Sequence, residues 1–150
     1  GYGYNVAELR AEIGHILGID NGHRLIIIGA GHLGHALLQN FDFEKVGFQV
    51  DSAFDVSPAL IDTQIRGVTI RAMDQLADYV ARYQPNVAVL TVPQNVAQPL
   101  ADQLIGLGIR GFWNFTNVEI SVPEDVYSED IHFVDTLLTL SYHISRSNQE

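Results

Sequence analysis

The 150-residue chain contains no cysteine. That excludes disulfides, thiolate nucleophiles and cysteine metal sites, and it fits a reducing compartment. Positive charge is scarce: 8 Lys and Arg stand against 18 Asp and Glu, a formal net charge of −10. Such a chain is by itself a poor partner for nucleic-acid phosphates, whose binding is dominated by Lys and Arg. No apolar run approaches the roughly 18 residues of a membrane span, so no membrane partner is expected. Catalytic patterns are missing too. There is no G-x-S-x-G and no phosphate-loop Gly-Lys-Ser/Thr. The six histidines are scattered, and none is set against a carboxylate at metal-ligand or triad spacing. No catalytic residue and no metal site are therefore expected. The single methionine is Met73, and the opening Gly1-Tyr2-Gly3-Tyr4 reads as a glycine-rich linker continuing from something upstream.

What is present is a globular composition, 47% hydrophobic and 17% charged. A chain of this length forms one domain that buries about 68–70% of its unfolded surface. Its most telling stretch is Leu25-Ile26-Ile27-Ile28-Gly29-Ala30-Gly31-His32-Leu33-Gly34-His35-Ala36-Leu37-Leu38. Four apolar residues run directly into G-x-G-x-x-G, and a helical pattern follows. In that order Gly29 takes the tight turn, Gly31 lets a pyrophosphate approach the main chain, and Gly34 lets helix and strand pack closely. The helix N-terminus offers free N–H groups and a positive dipole end to phosphates. His32 and His35 stand at that same end, where a cation is disfavoured, and are read as neutral surface residues.

Along the rest of the chain, Val6, Leu9, Ile13, Ile16 and Leu17 form a helical stripe. Strands are predicted at about 24–28, 48–54, 68–70, 87–92 and 109–115, with one or two more between 118 and 134. Helices are predicted at 33–40, from a cap at Asp74 to Tyr83, at 96–107 and over 135–145. Strands and helices alternate with short connections. The fold class is therefore α/β, a Rossmann-type doubly wound parallel sheet. The organisation read from this is a linker and leading helix over 1–22, the nucleotide domain over 23–134, and a terminal helix and tail over 135–150.

Asp55 closes the second strand, 21 residues beyond Gly34. A carboxylate there accepts hydrogen bonds from the adenosine ribose and repels a 2′-phosphate, and no arginine follows in Val56-Ser57-Pro58. The cofactor expected is NAD(H), not NADP. Thr91-Val92-Pro93 and Asn114-Phe115 end the next two strands, on the edge where such sheets bind ligands, and would border the nicotinamide half. Val92, Pro93 and Phe115 offer that ring little polarity, so neutral NADH should be preferred over cationic NAD+. The final helix is apolar on most sides through Leu137, Leu138, Leu140, Tyr142 and Ile144, with a narrow polar stripe of Asp135, Thr139 and His143. A helix of that kind is buried on more than one side, by its own domain or by a second subunit.

These pieces resemble the Rex family of redox-sensing transcriptional repressors. The resemblance is carried by Gly1-Tyr2-Gly3-Tyr4-Asn5-Val6, the glycine-rich stretch Gly29 to Leu38, Ala53-Phe54-Asp55 and Leu90-Thr91-Val92-Pro93. Gly108-Ile109-Arg110-Gly111, Asn114-Phe115, Val122-Pro123-Glu124-Asp125-Val126 and Val134-Asp135 with Leu140-Ser141-Tyr142 follow in the same order. It implies a cytoplasmic bacterial sensor that releases DNA as NADH rises. It also implies a homodimer that exchanges its C-terminal helix, with Asp135, Leu138 and Tyr142 at the dimer and switch contacts. Operator DNA would be reached only through an N-terminal winged-helix domain that is absent from this segment. Two departures stand out: a tyrosine that some members carry after the nucleotide-loop helix falls at Asn40, followed by Phe41, and Asn114-Phe115 is followed by Thr116-Asn117. In those members the tyrosine partners the acid that matches Asp135. Two rival classes share the glycine-rich turn. One is the cofactor half of a dehydrogenase, which would need a substrate domain and a proton donor. The other is a nucleotide-binding regulatory module of an ion channel or transporter, which would lack the Thr-Val-Pro and Asn-Phe pieces.

Overall fold

Leu25-Ile26-Ile27-Ile28 is almost wholly buried, because a strand in the middle of a parallel sheet is covered on both faces and has no polar side. These residues are the heart of β1 (His23–Ile28). In this computed structural model, which describes residues 22–149, β1 lies at the centre of a seven-stranded sheet. The helix expected over Val6 to Leu17 lies outside the described residues.

After β1 come α1 (His32–Asn40), β2 (Phe48–Asp55), β3 (Gln64–Ile65), β4 (Val68–Ala72), α2 (Leu76–Tyr83) and β5 (Val87–Leu90). Then follow α3 (Gln94–Gly106), β6 (Gly111–Asn114), β7 (Tyr127–Asp130) and α4 (Phe133–Gln149). The strand order is β3-β4-β2-β1-β5-β6-β7. Every pairing is parallel except the short β3–β4 hairpin. The chain therefore winds outward from β1 to β4, crosses back to β5, and winds outward again to β7. The reversal between β1 and β5 is the switch point at which doubly wound sheets open a ligand crevice.

Alternate β1 residues feed two cores. Ile26 and Ile28 join Phe54, Leu76, Val80 and Leu104 on the side of α2 and α3. Leu25 and Ile27 join Leu38, Phe43, Ala53 and Ile70 on the side of α1.

Several element limits differ from those read in the sequence. The apolar run from Val87 is strand only to Leu90, and Pro93 caps α3. The strand expected over 109–115 is ladder only from Gly111 to Asn114. Asp74 does not cap α2: Met73–Gln75 is a 3-10 turn, and α2 begins after it without a side-chain cap. The β3–β4 hairpin was not expected; Arg66 at φ 50° and Gly67 at φ 82° make its turn. In β2, Leu25 pairs with Val50 but Ile26 with Ser52, so Asp51 is an extra, bulged residue. Its carboxylate forms an ion pair with Arg24. Beside it, Arg71 Nε donates to Ser52 Oγ at 3.1 Å, and the Arg71 guanidinium lies 5.2 Å over the Tyr79 ring.

Candidate functional site

The glycine turn forms as the spacing requires. Gly29 has φ 96°, and a Cβ there would come within 2.5 Å of Thr91 Oγ1. Gly29 N donates to Phe54 O at 2.7 Å, which pins the turn to the end of β2. A Cβ on Gly34 would collide with the Gly29 carbonyl oxygen. Gly31 differs from both: no atom lies within 4 Å of where its Cβ would be. That open position is the N-cap of α1, where no side chain caps the helix. The first-turn amides of an α-helix have no intrahelical partner, so His32 and Leu33 offer N–H groups beside open space. His32 and His35 are exposed, as expected, and no acid lies in the first turn to compete with an anion.

Asp55 closes the other side of this space. Its Oδ2 accepts from Ala30 N at 2.6 Å and its Oδ1 from Ser57 N at 2.8 Å. Each carboxylate oxygen keeps a further lone pair for a donor from outside. Two backbone N–H bonds hold the carboxylate in one orientation before any ligand arrives. Val56, next in sequence, is 79% exposed beside it. The amide of Ser57 was not singled out in the sequence; the Asp-x-Ser spacing, an Asx-type turn, is the signal that could have shown it.

At the β5 end, Thr91 Oγ1 is 2.7 Å from Gly29 O and 3.0 Å from Ile28 O, and Thr91 N donates to Ile28 O at 2.9 Å. Thr91 thus braces the glycine turn from behind. Val92 packs with the α2–α3 core and Phe115 with the α1 core, so the two lie on opposite faces of the sheet. Pro93 is exposed.

Asn114 is different. It is fully buried, and its amide is saturated internally. Nδ2 donates to Val118 O at 2.6 Å and Asp130 Oδ1 at 2.8 Å. Oδ1 accepts from Thr116 N at 3.0 Å and Thr116 Oγ1 at 2.6 Å. Its side chain shapes the loop after β6 and has no hydrogen bond left for a ligand.

The last helix does not dock on its own domain. Leu137, Leu138 and Tyr142 are 66%, 62% and 60% exposed, and every described side chain from Phe133 onward is exposed. Asp135 faces His132 Nδ1 at 3.8 Å. Asn40 ends α1, and Phe41 beyond it packs edge-on against Phe43, 4.7 Å between ring centres. Among the described residues no group of His, Asp and Glu could hold a metal ion, and no helix is long and apolar enough to cross a membrane.

Sheet order, switch point and glycine turn define a nucleotide-binding domain of the Rossmann type. The CoA binding domain family matches over residues 20–118. The chain is 40% identical over 149 residues to the redox-sensing transcriptional repressor Rex of Clostridium tetani, covering 99% of this chain and 71% of that one. It also superposes on RSP, a Rex-family repressor. The RSP complex with beta-NADH gives a TM-score of 0.85 at 39% identity over 99% of this chain and 72% of that one. The complex of RSP with beta-NAD+ and operator DNA gives 0.85 at 40% identity, over 99% and 69%. This chain belongs to the Rex family of redox-sensing transcriptional repressors. The relatives at 40% identity are transcriptional repressors, whereas UDP-D-quinovosamine 4-dehydrogenase of Vibrio fischeri, at 16% identity and a TM-score of 0.56, shares the fold alone.

Proposed function

We propose that this chain is the NAD(H)-binding sensor of a cytoplasmic redox repressor, in which the NADH/NAD+ ratio sets the geometry of a homodimer. The observation that carries the reading is the pairing of two seats at the switch point. The open Gly31 position stands before the unpartnered amides of α1, and the Asp55 carboxylate is fixed against Ala30 N. Gly29, Ala30, Gly31, His32, Leu33 and Gly34 would hold the pyrophosphate. Asp55 and Val56 would hold the adenosine ribose, and the carboxylate would reject the 2′-phosphate of NADP. Thr91, Val92, Pro93 and Phe115 would border the nicotinamide, with Asn114 fixing the loop that carries Phe115.

The ring is a cation in NAD+ and neutral in NADH. Moving an unpaired charge among apolar side chains costs several kcal/mol. The aromatic face of Phe115 returns about 0.5–2 kcal/mol of that, so the neutral form wins. A hundredfold preference needs only about 2.7 kcal/mol, and that difference is the whole drive available to reshape the protein.

In this reading residues 23–134 are the sensor and 135–150 the dimerisation helix, with Asp135, Leu138 and Tyr142 at the shared interface. Residues 1–22 lead in from a winged-helix domain that makes the operator contacts. The likeness to RSP bound to operator DNA supports that division. Calorimetry tests the site. Binding of NADH should be tighter than that of NAD+, and NADPH should bind weakly. Asp55→Ala should cost NADH about ten- to a hundredfold, the worth of a charge-assisted hydrogen bond, and should narrow the gap to NADPH. Equal affinities for NADH and NAD+ would overturn the sensing role. An unchanged NADH/NADPH ratio in Asp55→Ala would remove Asp55 from the ribose.

A further inference from the structure

We infer that residues 6–17, the leading amphipathic segment, lie as a helix in an apolar groove on the α1 side of the sheet, across β5, β6 and β7. The groove opens at the first residues of these strands, at the opposite edge from the glycine turn. The inference therefore stands apart from the NAD(H) reading.

A parallel sheet is normally covered on both faces, and here the cover is uneven. On one face the α2–α3 core reaches from Phe54 to Phe112 and Val126. On the other, the described helices contribute only Leu37 and Leu38 of α1 to the core, and every described side chain of α4 is exposed. What stays open is a groove of about 480 Å³ lined by Leu25, Phe41, Phe48, Val87, Trp113 and Tyr127. Leu25 is buried at its floor, and Tyr127 is 76% exposed at its β7 end. Trp113 stands between them, its ring centre 5.5 Å from that of Phe41. A contiguous apolar surface of this kind calls for an apolar partner.

Entry point, length and pattern choose the occupant. His23 opens β1, its N donates to Gly47 O at 3.0 Å, and its ring lies 5.5 Å from Phe48 of the groove wall. The chain thus arrives beside the groove. Residues 18–22 span at most about 18 Å, which keeps Leu17 near β1. Val6, Leu9, Ile13, Ile16 and Leu17 recur at helical spacing, and a helix over 6–17 is about 18 Å long. From β1 across β5 and β6 to β7 is three strand spacings, about 14 Å. The stripe therefore fits across the groove, with Leu17 toward β1 and Val6 toward β7. A segment tethered this closely also outcompetes a free partner through its effective concentration.

The test uses the whole chain, in which Trp113 is the single tryptophan, so its fluorescence reports the groove. Leu9→Asp with Ile13→Asp should move the emission to longer wavelength and open Trp113 to acrylamide quenching. Ala11→Asp with His15→Asp sets two aspartates on the opposite side of the same helix and should change neither. The chain has no cysteine, so Leu9→Cys with Tyr127→Cys adds one pair of thiols, which a short bismaleimide should join within a single chain, as mass spectrometry records. Circular dichroism separates undocking from unfolding, and the cross-link decides alone should the charged variant unfold. Unchanged emission in Leu9→Asp with Ile13→Asp overturns the inference, as does the lack of a bridge within one chain. A bridge formed only between chains overturns it too and gives the groove to a second copy.

Discussion

The three motif glycines look equivalent in the sequence and are not equivalent in space. Gly34 has the Gly29 carbonyl where a Cβ would go, whereas Gly31 faces nothing within 4 Å. Gly34→Ala should therefore destabilise the fold by about 3 kcal/mol or more, as overpacking against backbone does, visible as a melting temperature several degrees lower. Gly31→Ala should leave the melting temperature within a degree or so and should abolish NADH binding, because only an incoming diphosphate meets the new methyl. Thermal unfolding and calorimetry on the two variants separate the roles. The places of Gly29 in the tight turn and of Asp55 at the end of β2 were legible because chain spacing and the end of a strand dictate them. The role of Asn114 was not. An asparagine at a strand end reads as a ligand contact, and only the folded loop shows Val118, Thr116 and Asp130 consuming its whole amide.

Elements were legible where one period persisted. β1, α1 and α2 declare themselves through unbroken apolar patterns. β2 breaks its own alternation, because Asp51 is inserted and Phe48, Val50 and Ala53 come to share a face. Burial raises the Tyr79 pKa above its usual 10.0; the negative charge of Asp51 at that bulge adds to the rise, and Arg71 and Arg24 work against it. The folded state thus favours the protonated phenol. Its contribution is fully present below the unfolded pKa and is lost as pH rises through the higher folded value. Tyr79→Phe should flatten the fall of melting temperature above about pH 10, as scans from pH 8 to 11 would record. For α4, apolarity around the helix signalled burial on several sides, but the choice between its own domain and a second subunit stayed open in the sequence. The structure shows no docking on its own domain. In the homodimer proposed above, Leu138→Glu with Tyr142→Glu should leave a monomer in sedimentation, because charges replace apolar side chains that are exposed in the single chain.

At the scale of the whole molecule, alternating strands and helices predicted the doubly wound sheet, and the order β4-β2-β1-β5-β6-β7 delivers it. The β3–β4 hairpin escaped notice because two strand residues are too few to carry a period. Net charge sets a further expectation. At −10 the chain alone should bind nucleic-acid phosphates poorly at any salt concentration, as a titration with duplex DNA would record.

If α4 is shared between two copies, the folded state also depends on how many copies there are. Mass action then removes about 1.4 kcal/mol of stability per pair with every tenfold dilution. A scarce sensor would unfold at a lower temperature than an abundant one of the same sequence. The gauge would report coenzyme faithfully only while enough of it is present to stay paired.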